Sequence, residues 1–102
     1  MFVKVYQYHI QKNKEKEYIR VQKKAAEIYK RYVSFETIYL KGCDDGTKWM
    51  EITKYKSEAE YQRSIGTINE EEEIQELFEE LQALLVSGKE EITEENFIER
   101  IF

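Results

Sequence analysis

Residues 35–55 read FETIYLKGCDDGTKWMEITKY, and the fold turns on how this stretch is read. Residues 35–41 and 48–55 are rich in aromatic and β-branched types, which pack well on a pleated surface. Between them lies Gly42-Cys43-Asp44-Asp45-Gly46. Aspartate followed by glycine supplies the positive φ angles of a tight turn, so the stretch predicts a β-hairpin. On the returning strand Trp49, Glu51, Thr53 and Tyr55 alternate with Met50, Ile52 and Lys54.

Working back toward the N-terminus, Tyr18, Val21, Ala25, Ile28, Tyr29 and Tyr32 recur at intervals of three or four. That spacing predicts a helix over residues 13–32, capped by Asn13 and laying one apolar stripe on the sheet. Before it, FVKVYQYHI at residues 2–10 reads as a strand. Its two faces carry Phe2, Lys4, Tyr6, Tyr8 and Ile10 on one side and Val3, Val5, Gln7 and His9 on the other. Apolar residues on both faces mark a strand covered on both sides.

Beyond the hairpin, Ser57 and Glu60 form a capping box that opens a short helix, which Gly66 is expected to interrupt. A second helical piece is expected from about Asn69, with Ile74, Leu77, Phe78, Leu81, Leu84 and Leu85 on its buried face. Ser87-Gly88 stops it. Residues 96–102, alternating Phe97, Glu99 and Ile101 with Ile98, Arg100 and Phe102, read as a last strand.

The order β-α-β-β-α-β defines an α+β chain, expected to be a single ferredoxin-like domain over residues 1–102. Two helices cover one face of such a sheet. The apolar residues of the other face call for a second sheet, so a homodimer is expected.

Composition narrows the partners. The chain has 21 acidic and 16 basic residues and a formal net charge of -5. Such a chain repels phosphate backbones and anionic membrane surfaces, so neither nucleic acid nor membrane is expected as a partner. The acidic excess is concentrated in Glu70–Glu73 with Glu76, Glu79 and Glu80, read as a solvated helix face. Cys43 is the only cysteine, so no internal disulfide forms, and Met1-Phe2-Val3-Lys4 opens no signal-peptide apolar block. Both features point to the cytoplasm.

With the strand order in place, the chain resembles the antibiotic-biosynthesis-monooxygenase family of dimeric α/β barrels. The likeness spans nearly the whole chain. It rests on Tyr8-His9-Ile10-Gln11-Lys12-Asn13, where a strand runs into a charged helix start, and on Ile52-Thr53-Lys54-Tyr55-Lys56-Ser57-Glu58-Ala59, where a strand ends before a helix. The resemblance implies a dimer whose sheets pack face to face, and a ligand cleft between sheet and helices in each protomer. The family contains cofactor-free and haem-degrading oxygenases. The haem-degrading members use an Asn on the first strand with a Trp and a His on the second helical region. Here the nearest positions are Tyr6 and Ser64, and residues 57–86 hold no histidine. That set is absent, and no cofactor is expected.

No catalytic residue is assigned from the sequence alone. His9, the only histidine, has the chemistry of a general base but no orienting partner visible in the sequence, and no second His or Cys lies at metal-ligand spacing. Cys43 lies beside Asp44 and Asp45, whose charge suppresses its thiolate. Tyr6, Tyr8, Tyr39, Trp49 and Tyr55 fall on strands, where they serve either core packing or an aromatic cleft. Tyr6, Tyr8, His9 and Trp49 are the candidate ligand-binding residues. The function expected is cofactor-free oxygenation of a planar aromatic substrate, in which the substrate itself supplies the electron to oxygen. The alternative is a non-enzymatic ligand-binding or interaction domain of the same fold.

Overall fold

The hairpin read from residues 35–55 forms one side of a four-stranded antiparallel sheet. A computed structural model describes all residues from Met1 to Phe102. The elements run β1 (Phe2–His9), a 3₁₀ turn (Lys12–Lys14), α1 (Glu15–Lys30), β2 (Phe35–Lys41), β3 (Lys48–Tyr55), α2 (Glu58–Glu70), α3 (Glu72–Leu84) and β4 (Thr93–Ile98). The strand order is β2-β3-β1-β4. This is the ferredoxin-like topology expected from the element order.

Antiparallel register places side chains in rows across the sheet. On the helix-facing side, Phe35, Tyr55, Phe2 and Ile98 form one row, and Thr37, Thr53, Lys4 and Asn96 form the next. Tyr39, Glu51, Tyr6 and Glu94 form a third row, and Lys41, Trp49 and Tyr8 a fourth. Two polar rows therefore lie between two largely aromatic ones. The core divides accordingly. One cluster gathers Tyr8, Tyr18, Val21, Ile28, Trp49, Leu77 and Leu84 with the strand-end residues Ile10 and Leu85, and the other gathers Phe2, Val33, Tyr55 and Ile68.

Local chemistry departs from the sequence expectations at five places. Gly66 does not break the second helix, because α2 runs through it to Glu70. A glycine costs a helix about 1 kcal/mol without ending it. The break falls at Glu71, whose φ of -64° and ψ of 122° are extended. Carboxylates are unfavourable at a helix C-terminus and favourable at an N-terminus, so the run Glu70–Glu73 starts a new helix better than it continues the old one. Asn13 caps nothing: it sits within the 3₁₀ turn, and α1 starts without a side-chain cap.

The last strand is Thr93–Ile98, not residues 96–102, and the reason is its partner. β1 begins at Phe2, which pairs with Ile98, so the chain beyond Ile98 has no strand to extend along. The hairpin turn does not use Gly46 at positive φ, since Gly88 is the only residue in that region. It depends instead on Gly42, where a Cβ would meet the Asp45 carbonyl oxygen at 2.5 Å. Asp45 holds the loop by accepting from the Thr47 N–H at 2.9 Å and hydroxyl at 2.6 Å. The Ser57 cap forms as expected, its hydroxyl accepting from the Glu60 N–H at 3.2 Å.

Phe78 is the remaining correction. It is 51% exposed, while Leu77 and Leu84, seven residues apart on α3, are the buried ones. One residue is 100° of helix, so Phe78 lies a step around from the core stripe. Ile68 on α2, at 1% exposure, carries the packing on its side. Ile68→Ala should therefore cost about 2–5 kcal/mol through lost burial and a cavity, whereas Phe78→Ala should cost less than about 1 kcal/mol. Urea denaturation of the two variants checks this order.

Candidate functional site

Because the middle rows of the sheet are polar, the helices do not close onto them, and a cavity of about 760 Å³ remains between sheet and helices. Its floor is Tyr6, Tyr8, Thr37, Tyr39, Glu51 and Thr53. Gln22, Ala25, Ala26 and Tyr29 on α1 form one wall, where the two alanines leave room. Tyr61, Ile65, Ile74, Leu77, Phe78 and Leu81 on α2 and α3 form the other. Phe35 and Tyr55 close one end, and Glu94 lies at the β4 edge. No lysine, arginine or histidine lines it.

Glu51 is the chemical centre. Its Oε1 accepts from the Tyr8 hydroxyl at 2.8 Å and from Gln22 Nε2 at 3.1 Å. Gln22 Nε2 also approaches the Tyr8 oxygen at 3.1 Å, and the Tyr39 hydroxyl donates to Gln22 Oε1 at 3.4 Å. With the proton of Tyr8 committed to Glu51, the 2.6 Å bond between Tyr8 and Tyr18 has Tyr18 as donor. Both donors to Glu51 thus converge on Oε1, and Oε2 has no protein partner. Oε2 is not sealed away either, since no fully buried side-chain oxygen lacks a hydrogen bond.

Burial pushes the Glu51 carboxyl above the ordinary glutamate value, against the weaker opposing effect of the bonds from Tyr8 and Gln22. Burial also raises the cavity phenols: Tyr29 and Tyr39 are pushed up to about 12. Tyr6, Tyr8 and Tyr55 are likewise raised. Every one of these tyrosines is a neutral hydrogen-bonding phenol at physiological pH. Of the carboxylates that line the cavity, Glu94 is paired with Lys4 and Glu79 is exposed on α3, which leaves Glu51 as the proton acceptor on the floor.

At the β4 edge, Lys4 is 4% exposed although charged. Its Nζ donates to Asn96 Oδ1 at 2.8 Å, pairs with Glu94 and sits 4.8 Å from the centre of the Tyr61 ring. The Lys4 charge is therefore spent on Glu94 and on ring faces behind the cavity wall.

Of the four residues singled out from sequence, the structure brings Tyr6 and Tyr8 together on the cavity floor. Trp49 stands behind them, its ring centre 4.7 Å from that of Tyr18. His9 lies elsewhere, at the end of β1 against the hairpin loop, with Nδ1 2.9 Å from Thr47 Oγ1 and 3.5 Å from the Asp45 carboxylate. Sequence reading missed Glu51 and Gln22. The signal for Glu51 was a carboxylate sharing an alternation with Trp49 and Tyr55; Gln22 gave none.

No family model matches the chain, and no curated protein is similar to it in sequence. Solved structures do share its fold. An uncharacterized NIPSNAP domain protein from Burkholderia xenovorans superposes with a TM-score of 0.76 at 12% identity, over 100% of this chain and 97% of that one. SnoaB, a cofactor-independent oxygenase from Streptomyces nogalater, gives 0.73 at 14% identity over 99% and 94%. A putative antibiotic biosynthesis monooxygenase from Nitrosomonas europaea gives 0.70 at 12% over 94% and 86%. The chain thus has the ferredoxin-like fold of antibiotic-biosynthesis-monooxygenase and NIPSNAP structures. At these identities the likeness is one of fold.

A carboxyl whose folded pKa is raised binds its proton more tightly in the folded chain than in the unfolded one. Its contribution to stability is present below the unfolded value of about 4.5 and is lost as pH rises through the folded value. Glu51→Gln keeps an oxygen for Tyr8 and Gln22 and cannot ionise. The variant should melt above the parent chain at pH 7–8, and the gap should shrink toward pH 4. Calorimetric melting across this range checks the sign.

Proposed function

We propose that the chain is an enzyme that binds a planar aromatic molecule in the cavity and oxygenates it without a cofactor. The observation that carries this reading is the free Oε2 of Glu51 on the floor of an aromatic cavity. The ring of the bound molecule would lie among Tyr6, Tyr8, Tyr29 and Tyr39, which also keep bulk water from it. Glu51 takes a proton from a phenolic O–H of the substrate. The electron-rich ring left behind passes one electron to dioxygen, and the radical pair recombines to a ring-bound peroxide; Glu51 returns the proton to it, and loss of water breaks the O–O bond and leaves the quinone. Tyr8 and Gln22 hold the carboxylate in place and do not touch the substrate's proton.

An oxygen electrode tests this with a panel of polycyclic phenols and no added cofactor. Oxygen uptake should depend on the protein and fall about 100-fold or more in Glu51→Gln, the usual scale for a lost general base. A panel member that raises the melting temperature but consumes no oxygen would make the domain a ligand binder instead.

The opposite sheet face supports a working homodimer. Ile38 (51% exposed), Leu40 (47%) and Phe97 (47%) lie there with Val3, Val5, Met50 and Ile52. A second copy laid on this face would bury roughly 1,600 Å² in total, the size of a stable pair. Sedimentation should give twice the 12.4 kDa of one chain. Leu40→Asp should shift the protein to monomer.

A further inference from the structure

The charge of the cavity is unbalanced. Its lining contains Glu51, Glu94 and the exposed Glu79, and no cationic side chain. Glu94 is neutralised by Lys4, whose ammonium is engaged with Glu94 and Asn96. Glu51 has no such partner: both of its donors, Tyr8 and Gln22, are neutral, and both bind the same oxygen. A carboxylate taken out of water without a counter-charge is costly. The row Tyr39–Glu51–Tyr6 flanks it with aromatic rings, and Tyr8, Tyr29 and Tyr55 complete the surroundings. Tyrosine faces attract cations and gain nothing from anions.

We infer that the ligand of this cavity is a cation, a protonated aromatic amine whose nitrogen sits against Glu51 Oε2 and whose ring lies among the tyrosines. The assignment rests on the cavity being a ligand site, and it names the class of molecule that the site takes. It excludes carboxylated and phosphorylated aromatics, for which the cavity offers no positive partner. The N–H donors of an ammonium match the free Oε2 of Glu51. The amine is carried on an alkyl arm, since an amine attached directly to the ring would not be protonated at pH 7.

Three shape-matched probes separate charge from fit: 2-naphthylmethylamine, 2-naphthylmethanol and 2-naphthoate. Titration calorimetry on the full chain at pH 7 should rank the amine about tenfold or more tighter than the alcohol, as an ion pair and cation–π contact in a partly dry site imply. The naphthoate should not bind at millimolar concentration. Glu51→Gln, checked for its fold by circular dichroism, should bring the amine to the affinity of the alcohol. If that variant does not fold, the ranking of the three probes on the parent chain still decides. An alcohol that binds as tightly as the amine, or a naphthoate that binds best, overturns the charge assignment while leaving the cavity as a ligand site. Binding of none of the three overturns the cavity reading, and this inference with it.

Discussion

The hydrogen bonds that Tyr8 and Gln22 send to one oxygen of Glu51 tie three elements to a single point. β1, β3 and α1 meet there, at 2.8 and 3.1 Å, and Tyr18 and Tyr39 extend the contact to both sides. A buried carboxylate without such donors would drive the sheet and helix apart. With them it is held in place, half out of water, and the helices cannot pack flat over it. The divided core follows. Apolar residues gather at the two ends of the sheet, around Trp49 and Leu84 at one end and around Phe2 and Ile68 at the other. The cavity is the space between two cores that a polar centre keeps from merging.

The elbow at Glu71 serves the same geometry. Had α2 continued through Glu70–Glu73, Ile68 and Leu77 would lie on one straight helix and could not reach two separate clusters. With the break, Ile68 packs beside Phe2 and Tyr55 while Leu77 packs beside Tyr8 and Trp49. Ile74 touches both clusters and bridges them. The glutamate run is thus a solvated surface and also the place where the chain bends to wrap the cavity.

Much of the fold was legible because it is written in local periodicity. The alternation in residues 48–55 and the three-four spacing from Tyr18 to Tyr32 need no tertiary knowledge. The errors share a cause, which is that context decided them. Gly66 reads as a breaker, yet a helix tolerates one glycine when its neighbours pack. The end of β4 was set by where β1 begins, information that lies nearly a hundred residues away in the chain. The site was less legible than the fold. Tyr6 and Tyr8 could be found by type, but the role of Glu51 arises only from cross-strand register and from Gln22, a residue with no pattern of its own. His9 drew attention by being the only histidine, but at the end of β1 it faces the turn that Asp45 organises and not the cavity.

Tyrosine is concentrated around the cavity. Six of the eight tyrosines line it, together with Ile65, Ile74, Leu77 and Leu81 of the helical wall, while Ile10, Ile28, Ile68, Leu84 and Leu85 fill the places where the layers close. A tyrosine packs its ring back into the core and leaves its hydroxyl at the surface of the open space, so a wet cavity costs it little. Phenylalanine or leucine at Tyr6, Tyr8 and Tyr39 would favour collapse of α1 onto the sheet, since water against those side chains is unfavourable. The rings therefore do two jobs through one structure. They present apolar faces of the kind that an aromatic cation recognises, and through Tyr8 they fix the carboxylate that such a cation requires.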